Sequence, residues 1–248
     1  MSNALERLRE SKAALDAERR LMNEALERLG KPCQAPMTRR TGKLIFGLDL
    51  TGSREPGLKR ARNATARMFD AIRDFGSVEV KLVYYRGLDE CRETPWYSDA
   101  EILRRSMLKL SCERGHTQIE KMLRLVLAQS EKPSAVVFVG DHCEENPEEL
   151  LGLAETLRDR AIPLFVFHEC DDHDPWSLWA KQIFKRMAEL SGGVYVEFKP
   201  DSGEVLKELL PTIAAFSTAG AAGIERLALP VTAEARQLRS RLLLSSGT

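Results

Sequence analysis

The segment at residues 44–53 reads LIFGLDLTGS and joins a short apolar run to a polar turn. Its first residues are typical of a buried β-strand, because a short apolar run is bounded there by polar residues. Two further apolar runs, AVVFVG at residues 135–140 and PLFVFH at residues 163–168, have the same character. Strands that are apolar without alternation are typical of parallel sheets covered on both faces.

Helical periodicity separates these runs along the chain. The sequence predicts helices at residues 58–75, 100–110, 119–129, 147–160, 178–190 and 203–216, and further strands at residues 78–85 and 194–198. This alternation predicts an α/β fold with a doubly wound, mostly parallel central sheet and helices on both faces. The predicted domain spans residues 41–218.

A long amphipathic helix is predicted before this domain, at residues 3–29. Asn3 can cap its first turn and Gly30 can end it. An apolar side chain recurs at every seventh position: Leu8, Leu15, Met22 and Leu29. The pattern leaves two interpretations open, an arm packed on its own domain and a helix for self-association or partner binding.

The other flanking segments are less regular. Residues 31–40, with two prolines, are predicted to form a linker. A short helix is predicted at residues 233–244, and its pattern does not decide whether it docks on the domain. The predicted division therefore has three parts: helix and linker at residues 1–40, domain at residues 41–218, and tail at residues 219–248.

Composition excludes several classes of protein. The 248 residues include 37 lysines and arginines and 37 aspartates and glutamates, so the formal net charge is zero. This balance argues against a dedicated nucleic-acid-binding protein, which needs excess positive charge. No apolar run is long enough to span a bilayer, and the N-terminus lacks the pattern of a signal peptide. We therefore expect a cytoplasmic protein without a membrane partner, whose five widely spaced cysteines are reduced thiols.

Polar side chains follow the predicted strands where ligands bind in a doubly wound sheet, at the carboxyl ends. Asp49, Thr51 and Ser53 alternate after the first strand, so an extended backbone points all three the same way. Asp141 follows the strand at residues 135–140, and Thr117 lies in a turn that can reach the same edge. Carboxylate and hydroxyl oxygens suit Mg²⁺ or Mn²⁺ better than zinc.

A purely structural interpretation of these residues is also open. The stretch from Asp49 to Ser53 can be a turn that caps the helix at residues 58–75. Asp141 can be an acidic residue near the N-terminus of the helix at residues 147–160, favoured by the helix dipole. The order of the three polar segments along the chain favours the metal interpretation.

These residues resemble the von Willebrand factor A domain. An Asp-x-Thr-x-Ser run after the first strand, a threonine after a glycine-containing turn and an aspartate after the next central strand recur in that family as its metal-ion-dependent adhesion site. The resemblance covers residues 41–218 and implies five metal ligands: Asp49, Thr51, Ser53, Thr117 and Asp141. The chain departs from the family pattern at His142, where many members have glycine.

The resemblance implies a protein-interaction module rather than an enzyme. Mg²⁺, or Mn²⁺, held largely by neutral hydroxyls keeps much of its charge and attracts a glutamate or aspartate from a partner protein. By analogy with intracellular members of the family, that partner can be an ATPase or another complex subunit. In some members the last helix of the domain shifts between two states, and the corresponding helix here is predicted at residues 203–216.

Two other function classes are weaker alternatives. A metal-dependent hydrolase or phosphotransferase would use His142 or His116 as a base, but the sequence has no G-x-S-x-G elbow, no phosphate-binding loop and no Asp-x-Asp after the first strand. An RNA-associated member of the family is disfavoured by the zero net charge. The segment from His168 to Asp174 is rich in histidine, cysteine and carboxylates, and a second metal site there stays an open question.

Overall fold

A six-stranded sheet forms the centre of the computed structural model, which describes residues 41–52, 78–197, 203–227 and 229–245. The strands are β1 (Gly42–Asp49), β2 (Val78–Arg86), β3 (Glu90–Glu93), β4 (Ala135–Gly140), β5 (Leu164–His168) and β6 (Tyr195–Glu197). Their order in the sheet is β3-β2-β1-β4-β5-β6. All neighbouring pairs are parallel except β2 and β3, which are antiparallel.

Six helices lie in the described part of the chain. They are α1 (Ala100–Leu108), α2 (Ile119–Leu127), α3 (Pro147–Asp159), α4 (Pro175–Ser191), α5 (Gly203–Glu225) and α6 (Ala233–Ser245). Local sequence determines several of their ends: Asp99, Asn146 and Asp174 cap α1, α3 and α4 through side-chain oxygens. Gly192 ends α4 in the left-handed conformation, with φ of 79°.

Two hydrophobic clusters cover the two faces of the sheet. Leu44, Phe46 and Leu48 of β1 belong to one cluster, which also contains buried side chains of α1, α5 and α6. Ile45 of β1 belongs to the other cluster, together with buried side chains of α2, α3 and α4. Successive side chains of β1 thus enter opposite layers, as strand geometry requires. The predicted doubly wound α/β fold is confirmed.

The C-terminal helices differ from the sequence prediction. The helix predicted to end at Phe216 continues to Glu225, with an interruption at Gly220, where φ is 59°. Helix α6 docks on the domain, since Leu238 and Leu242 are buried in the first hydrophobic cluster. The Glu208 carboxylate accepts hydrogen bonds from the Thr232 N–H (2.9 Å) and hydroxyl (2.6 Å). Near the C-terminal end of α5, the Arg239 guanidinium donates to the carbonyl oxygens of Ile224 (2.7 Å) and Leu227 (3.3 Å).

Other predictions stand differently. Strand β3 was not predicted, because its four residues, ECRE, carry no apolar pattern and it pairs only at the sheet edge. The predicted helices at residues 3–29 and 58–75 and the linker at residues 31–40 lie outside the described residues. The three-part division of the chain stays a prediction. Within the described ranges, no helix combines the length and hydropathy needed to cross a bilayer.

Two glycines give a matched test of this packing. A Cβ on Gly193 would lie 2.0 Å from the Leu164 carbonyl oxygen, whereas a Cβ on Gly152, in α3, would meet nothing within 4 Å. We expect Gly193→Ala to lower the free energy of unfolding by about 1–3 kcal/mol. Gly152→Ala should raise it by about 0.5–1 kcal/mol, because alanine favours helix. Urea unfolding followed by circular dichroism measures both, and equal effects would contradict the close approach at Gly193.

Candidate functional site

The candidate site lies at the carboxyl ends of β1 and β4, where the strand order reverses: β2 lies on one side of this pair and β5 on the other. Asp49 is the last residue of β1, and Asp141 directly follows the last residue of β4. Leu48 is in register with Val139, so the two adjacent parallel strands end alongside each other. In open α/β sheets this crevice is the usual place for a ligand.

Asp49 is buried and accepts three hydrogen bonds from Thr51 and Tyr85. Its Oδ1 accepts from the Thr51 N–H at 2.8 Å and from the Thr51 hydroxyl at 2.6 Å, and its Oδ2 accepts from the Tyr85 hydroxyl at 2.9 Å. A backbone bond from the Glu113 N–H to the Leu50 carbonyl (2.9 Å) holds the segment after β1 against a neighbouring loop. The structure therefore brings Asp49 and Thr51 together, while Ser53 lies outside the described residues.

Tyr85 is a member of this site that the sequence analysis missed. It is fully buried and stands opposite Asp49 in the β1–β2 register. Burial raises the pKa of its phenol well above the ordinary value, and the nearby carboxylates of Asp49, Glu145 and Asp141 raise it further. The phenol is therefore a permanent hydrogen-bond donor among three carboxyl groups.

Thr117 is buried, and its side chain is held from two directions. The Thr117 hydroxyl donates to Glu145 Oε2 at 2.5 Å and accepts from the Glu144 N–H at 3.0 Å. The Thr117 N–H donates to Glu144 Oε2 at 3.0 Å. These bonds join the turn before α2 to the loop after β4, so Thr117 is fixed relative to Asp141.

Glu145 is the second site residue that the sequence analysis missed. Its Oε1 accepts from the Glu120 N–H at 2.9 Å, in the first turn of α2, where the preceding Gln118 makes no side-chain cap. Burial raises the pKa of its carboxyl group, and the bonds from the Thr117 hydroxyl and the α2 backbone oppose that rise. Glu145 thus caps a helix that belongs to a different part of the chain.

Asp141 is buried and lies beside a charged histidine. Asp141 Oδ2 lies 3.3 Å from His142 Nδ1, and Asp174 Oδ2 lies 2.5 Å from His142 Nε2. The bond to Asp141 and the bond to Asp174 together raise the pKa of His142 to about 9, against the opposing effect of burial. The ring is therefore an imidazolium at neutral pH and bridges two carboxylates.

His168 fixes the backbone of Asp141. Its ring is fully buried, with Nε2 lying 2.9 Å from the Asp141 carbonyl oxygen and Nδ1 2.8 Å from the Tyr195 hydroxyl. A carbonyl only accepts, so Nε2 carries the proton and Nδ1 accepts from the tyrosine. Burial lowers the pKa of His168 to about 4, which keeps this neutral form at pH 7.

The segment from His168 to Asp174 does not act as one cluster. His168 supports Asp141, and Asp174 caps α4 and binds His142. Ligand atoms of Cys170, Asp172 and Glu197 do lie within 4.8 Å of one another. However, the Lys181 ammonium lies 2.7 Å from Glu197 Oε1 and 3.8 Å from Asp172 Oδ1. The negative charge of these two carboxylates is therefore already paired with a lysine.

The donor chemistry of the candidate site suits a hard divalent cation. Its buried members at this edge of the sheet offer carboxylate and hydroxyl oxygens: Asp49, Thr51, Thr117 and Asp141. Mg²⁺ and Mn²⁺ prefer such oxygen ligands. The ligand atoms of these four residues are therefore of the kind that Mg²⁺ or Mn²⁺ needs.

Comparison with known proteins identifies the fold. No family model and no curated protein matches the chain. An aerotolerance-related membrane protein from Bacteroides fragilis has a TM-score of 0.55 at 16% identity, over 69% of this chain and 98% of that one. BatB from Bacteroides thetaiotaomicron has a TM-score of 0.54 at 15% identity, over 70% of this chain and 98% of that one.

A von Willebrand factor type A protein from Catenulispora acidiphila has a TM-score of 0.56 at 15% identity, over 71% of this chain and 43% of that one. The chain has a von Willebrand factor A-like fold. At these identities the similarity concerns the fold alone. The chemistry of the site has to be inferred from the residues of this chain.

Removing the Tyr85 hydroxyl tests whether its hydrogen bond to Asp49 stabilises the fold. We expect Tyr85→Phe to lower the free energy of unfolding by about 2 kcal/mol, because the buried Asp49 carboxylate loses one of its donors. Tyr84→Phe is the matched control, since Tyr84 packs against the hydrophobic cluster that contains Leu48. It should change stability by less than about 0.5 kcal/mol. Urea unfolding measures both, and equal losses would contradict a special role for Tyr85.

The lowered pKa of His168 predicts an acid-sensitive fold. Between pH 6.5 and about 4 the unfolded chain binds a proton at this residue and the folded chain does not, so stability falls as pH falls. Between pH 7 and pH 5 this amounts to about 2 kcal/mol. We expect wild type to lose that much more than His168→Gln in urea unfolding with EDTA present. If the two proteins lost the same stability between pH 7 and pH 5, folded His168 would take up a proton in that range as the unfolded chain does.

Proposed function

We propose that this chain is a protein-interaction module that holds a divalent cation, Mg²⁺ or Mn²⁺, at the carboxyl ends of β1 and β4. The proposed ligands are Asp49, Thr51, Ser53, Thr117 and Asp141. A partner protein supplies a glutamate or aspartate to the same cation. An ATPase or another complex subunit is the class of partner that we favour, by analogy with the family named above.

One observation carries this proposal. Polar side chains at the ends of two adjacent strands are buried: Asp49, Thr51, Thr117 and Asp141 are between 2% and 8% exposed. Burying a carboxylate or hydroxyl costs free energy unless hydrogen bonds, an ion pair or a bound metal ion offset the lost hydration. A hard cation is the ligand that such a set of oxygens would stabilise best.

The hydrogen bonds of the site suggest a different role for each residue in binding a cation. Asp49 accepts two hydrogen bonds from Thr51 and one from Tyr85, so as a ligand it would also orient the Thr51 side chain. Thr51 and Thr117 offer neutral oxygens, which coordinate without cancelling charge. A bound cation would then supply the positive charge that attracts a partner's carboxylate.

The first turns of α4 have a feature that suits a protein partner. Trp176 is 69% exposed and Trp179 is 47% exposed, one helical turn apart on α4. Asp174 connects the start of α4 to the site, because it binds both His142 and the Trp176 N–H. Exposed tryptophans are common centres of protein–protein interfaces.

The alternative enzymatic functions lack a corresponding observation. His142 is one of the two candidate bases, and its raised pKa of about 9 means that it already carries a proton at neutral pH. His116 is exposed and lies 3.2 Å from Glu144 Oε2. We therefore propose binding without catalysis, and no described feature favours RNA as the partner over protein.

Titration with Mg²⁺ and Mn²⁺ by calorimetry tests the proposal. We expect wild type to bind one ion. Asp49→Asn and Asp141→Asn keep the size of each side chain and should weaken binding by about tenfold or more. Asp159→Asn makes the same change of charge at the exposed far end of α3 and should bind as wild type does.

The controls separate the possible failures. Circular dichroism must show that each variant is folded before its titration is compared. Wild-type affinity in both site variants would remove Asp49 and Asp141 from the ligand set. Absence of binding to wild type, with either ion, would contradict the proposed cation site itself.

A further inference from the structure

The Thr117 hydroxyl has a fixed orientation. A hydroxyl group has one proton and two lone pairs. Here the proton is donated to Glu145 Oε2 at 2.5 Å, and one lone pair accepts from the Glu144 N–H at 3.0 Å. Among the contacts that the structure describes, a single lone pair of Thr117 therefore remains for a ligand.

The direction of that proton decides whether Thr117 can bind a cation. A hydroxyl coordinates a metal through a lone pair, so its proton has to point away from the ion. Glu145 accepts this proton and keeps it away. A hydrogen-bond donor in the place of Glu145 Oε2 would turn the hydroxyl around and direct its proton elsewhere.

Glu145 is held in position by donors that cannot turn. Its Oε1 accepts from the Glu120 N–H at 2.9 Å, and the Ile119 N–H also bonds this carboxyl group. Backbone N–H groups of a helix terminus only donate, and they point along the helix axis. One oxygen of Glu145 therefore faces α2, and the other is left to receive the Thr117 proton.

We propose that Glu145 is a positioning residue of the cation site, acting through Thr117. Its carboxylate holds the Thr117 hydroxyl in the one orientation in which that oxygen can be a metal ligand. The role lies outside the five ligand positions derived from the sequence. It rests on the proposed function, since it requires that the site bind a cation.

Replacement by glutamine separates this role from helix capping. Glutamine has one acceptor oxygen and one donor NH₂ group at the same distance. The oxygen will face the fixed N–H donors of α2, so the NH₂ group will face Thr117. Because the hydroxyl can rotate and the helix cannot, Glu145→Gln should preserve the cap and reverse the hydroxyl.

The neighbouring glutamate supplies a matched control. The Glu144 side chain accepts from the Thr117 N–H at 3.0 Å and from no hydroxyl of that residue, and its own N–H remains in any variant. Glu144→Gln thus makes the same chemical change one residue away. It should leave the orientation of the Thr117 hydroxyl unchanged.

The experiment is a calorimetric titration of the full chain with Mn²⁺, with thermal unfolding measured in parallel. We expect Glu145→Gln to raise the Kd for Mn²⁺ by about 10- to 100-fold, as loss of an orienting partner of a metal ligand commonly does. Glu144→Gln should stay within about twofold of wild type, and both variants should remain folded. In a Thr117→Val background, Glu145→Gln should have no further effect on Kd, because the hydroxyl through which it acts is gone.

Each other outcome has a defined meaning. Wild-type affinity in folded Glu145→Gln, with binding weakened in Thr117→Val, would show that Glu145 is only a helix cap. If Glu145→Gln does not fold, Glu145→Asp replaces it: its shorter carboxylate cannot reach both partners, and unchanged affinity in that variant would also overturn the proposal. Failure of wild type to bind Mn²⁺ would instead refute the proposed function, so the two failures are distinguishable.

Discussion

The pairing of β1 with a parallel strand on each side is the constraint on which the rest of the structure depends. Leu48 opposite Val139 and Asp49 opposite Tyr85 define the register on the two sides. A slip of one residue would exchange the side chains of β1 between the two hydrophobic clusters, and both cores would be lost. The same register brings Asp49 to the end of β4, where Asp141 follows. The position of the site is therefore a consequence of how the core packs.

Negative charge is concentrated at this edge of the sheet, and the surrounding structure compensates for it with hydrogen-bond donors. Asp49 receives donors from its own loop and from β2, Glu145 receives them from the first turn of α2, and Asp141 lies beside the His142 imidazolium. Each donor comes from a different element, so the oxygens are fixed relative to one another by the whole fold.

The parts of this structure that were predictable from sequence are those with a local signature. Strands covered on both faces are continuously apolar, which indicated β1, β4 and β5, and the alternation of Asp49 and Thr51 indicated a shared direction. Tyr85 and Glu145 had no such signature, because their partners lie 36 and 28 residues away. The charge of His142 was equally hidden, since Asp174 is 32 residues distant. Strand β3 is short and polar, so only its pairing with β2 reveals it.

The contacts between α5 and α6 have a mechanical consequence. Glu208 of α5 accepts hydrogen bonds from Thr232 at the start of α6, and Arg239 of α6 donates to Ile224 and Leu227 at the end of α5, so hydrogen bonds join the two helices at two places. Leu238 and Leu242 extend the same hydrophobic layer that receives Leu209 of α5. If α5 moved along the sheet, it would have to move α6 with it or break these hydrogen bonds. Helix α6 therefore adds to the free energy that any displacement of α5 from the sheet would cost.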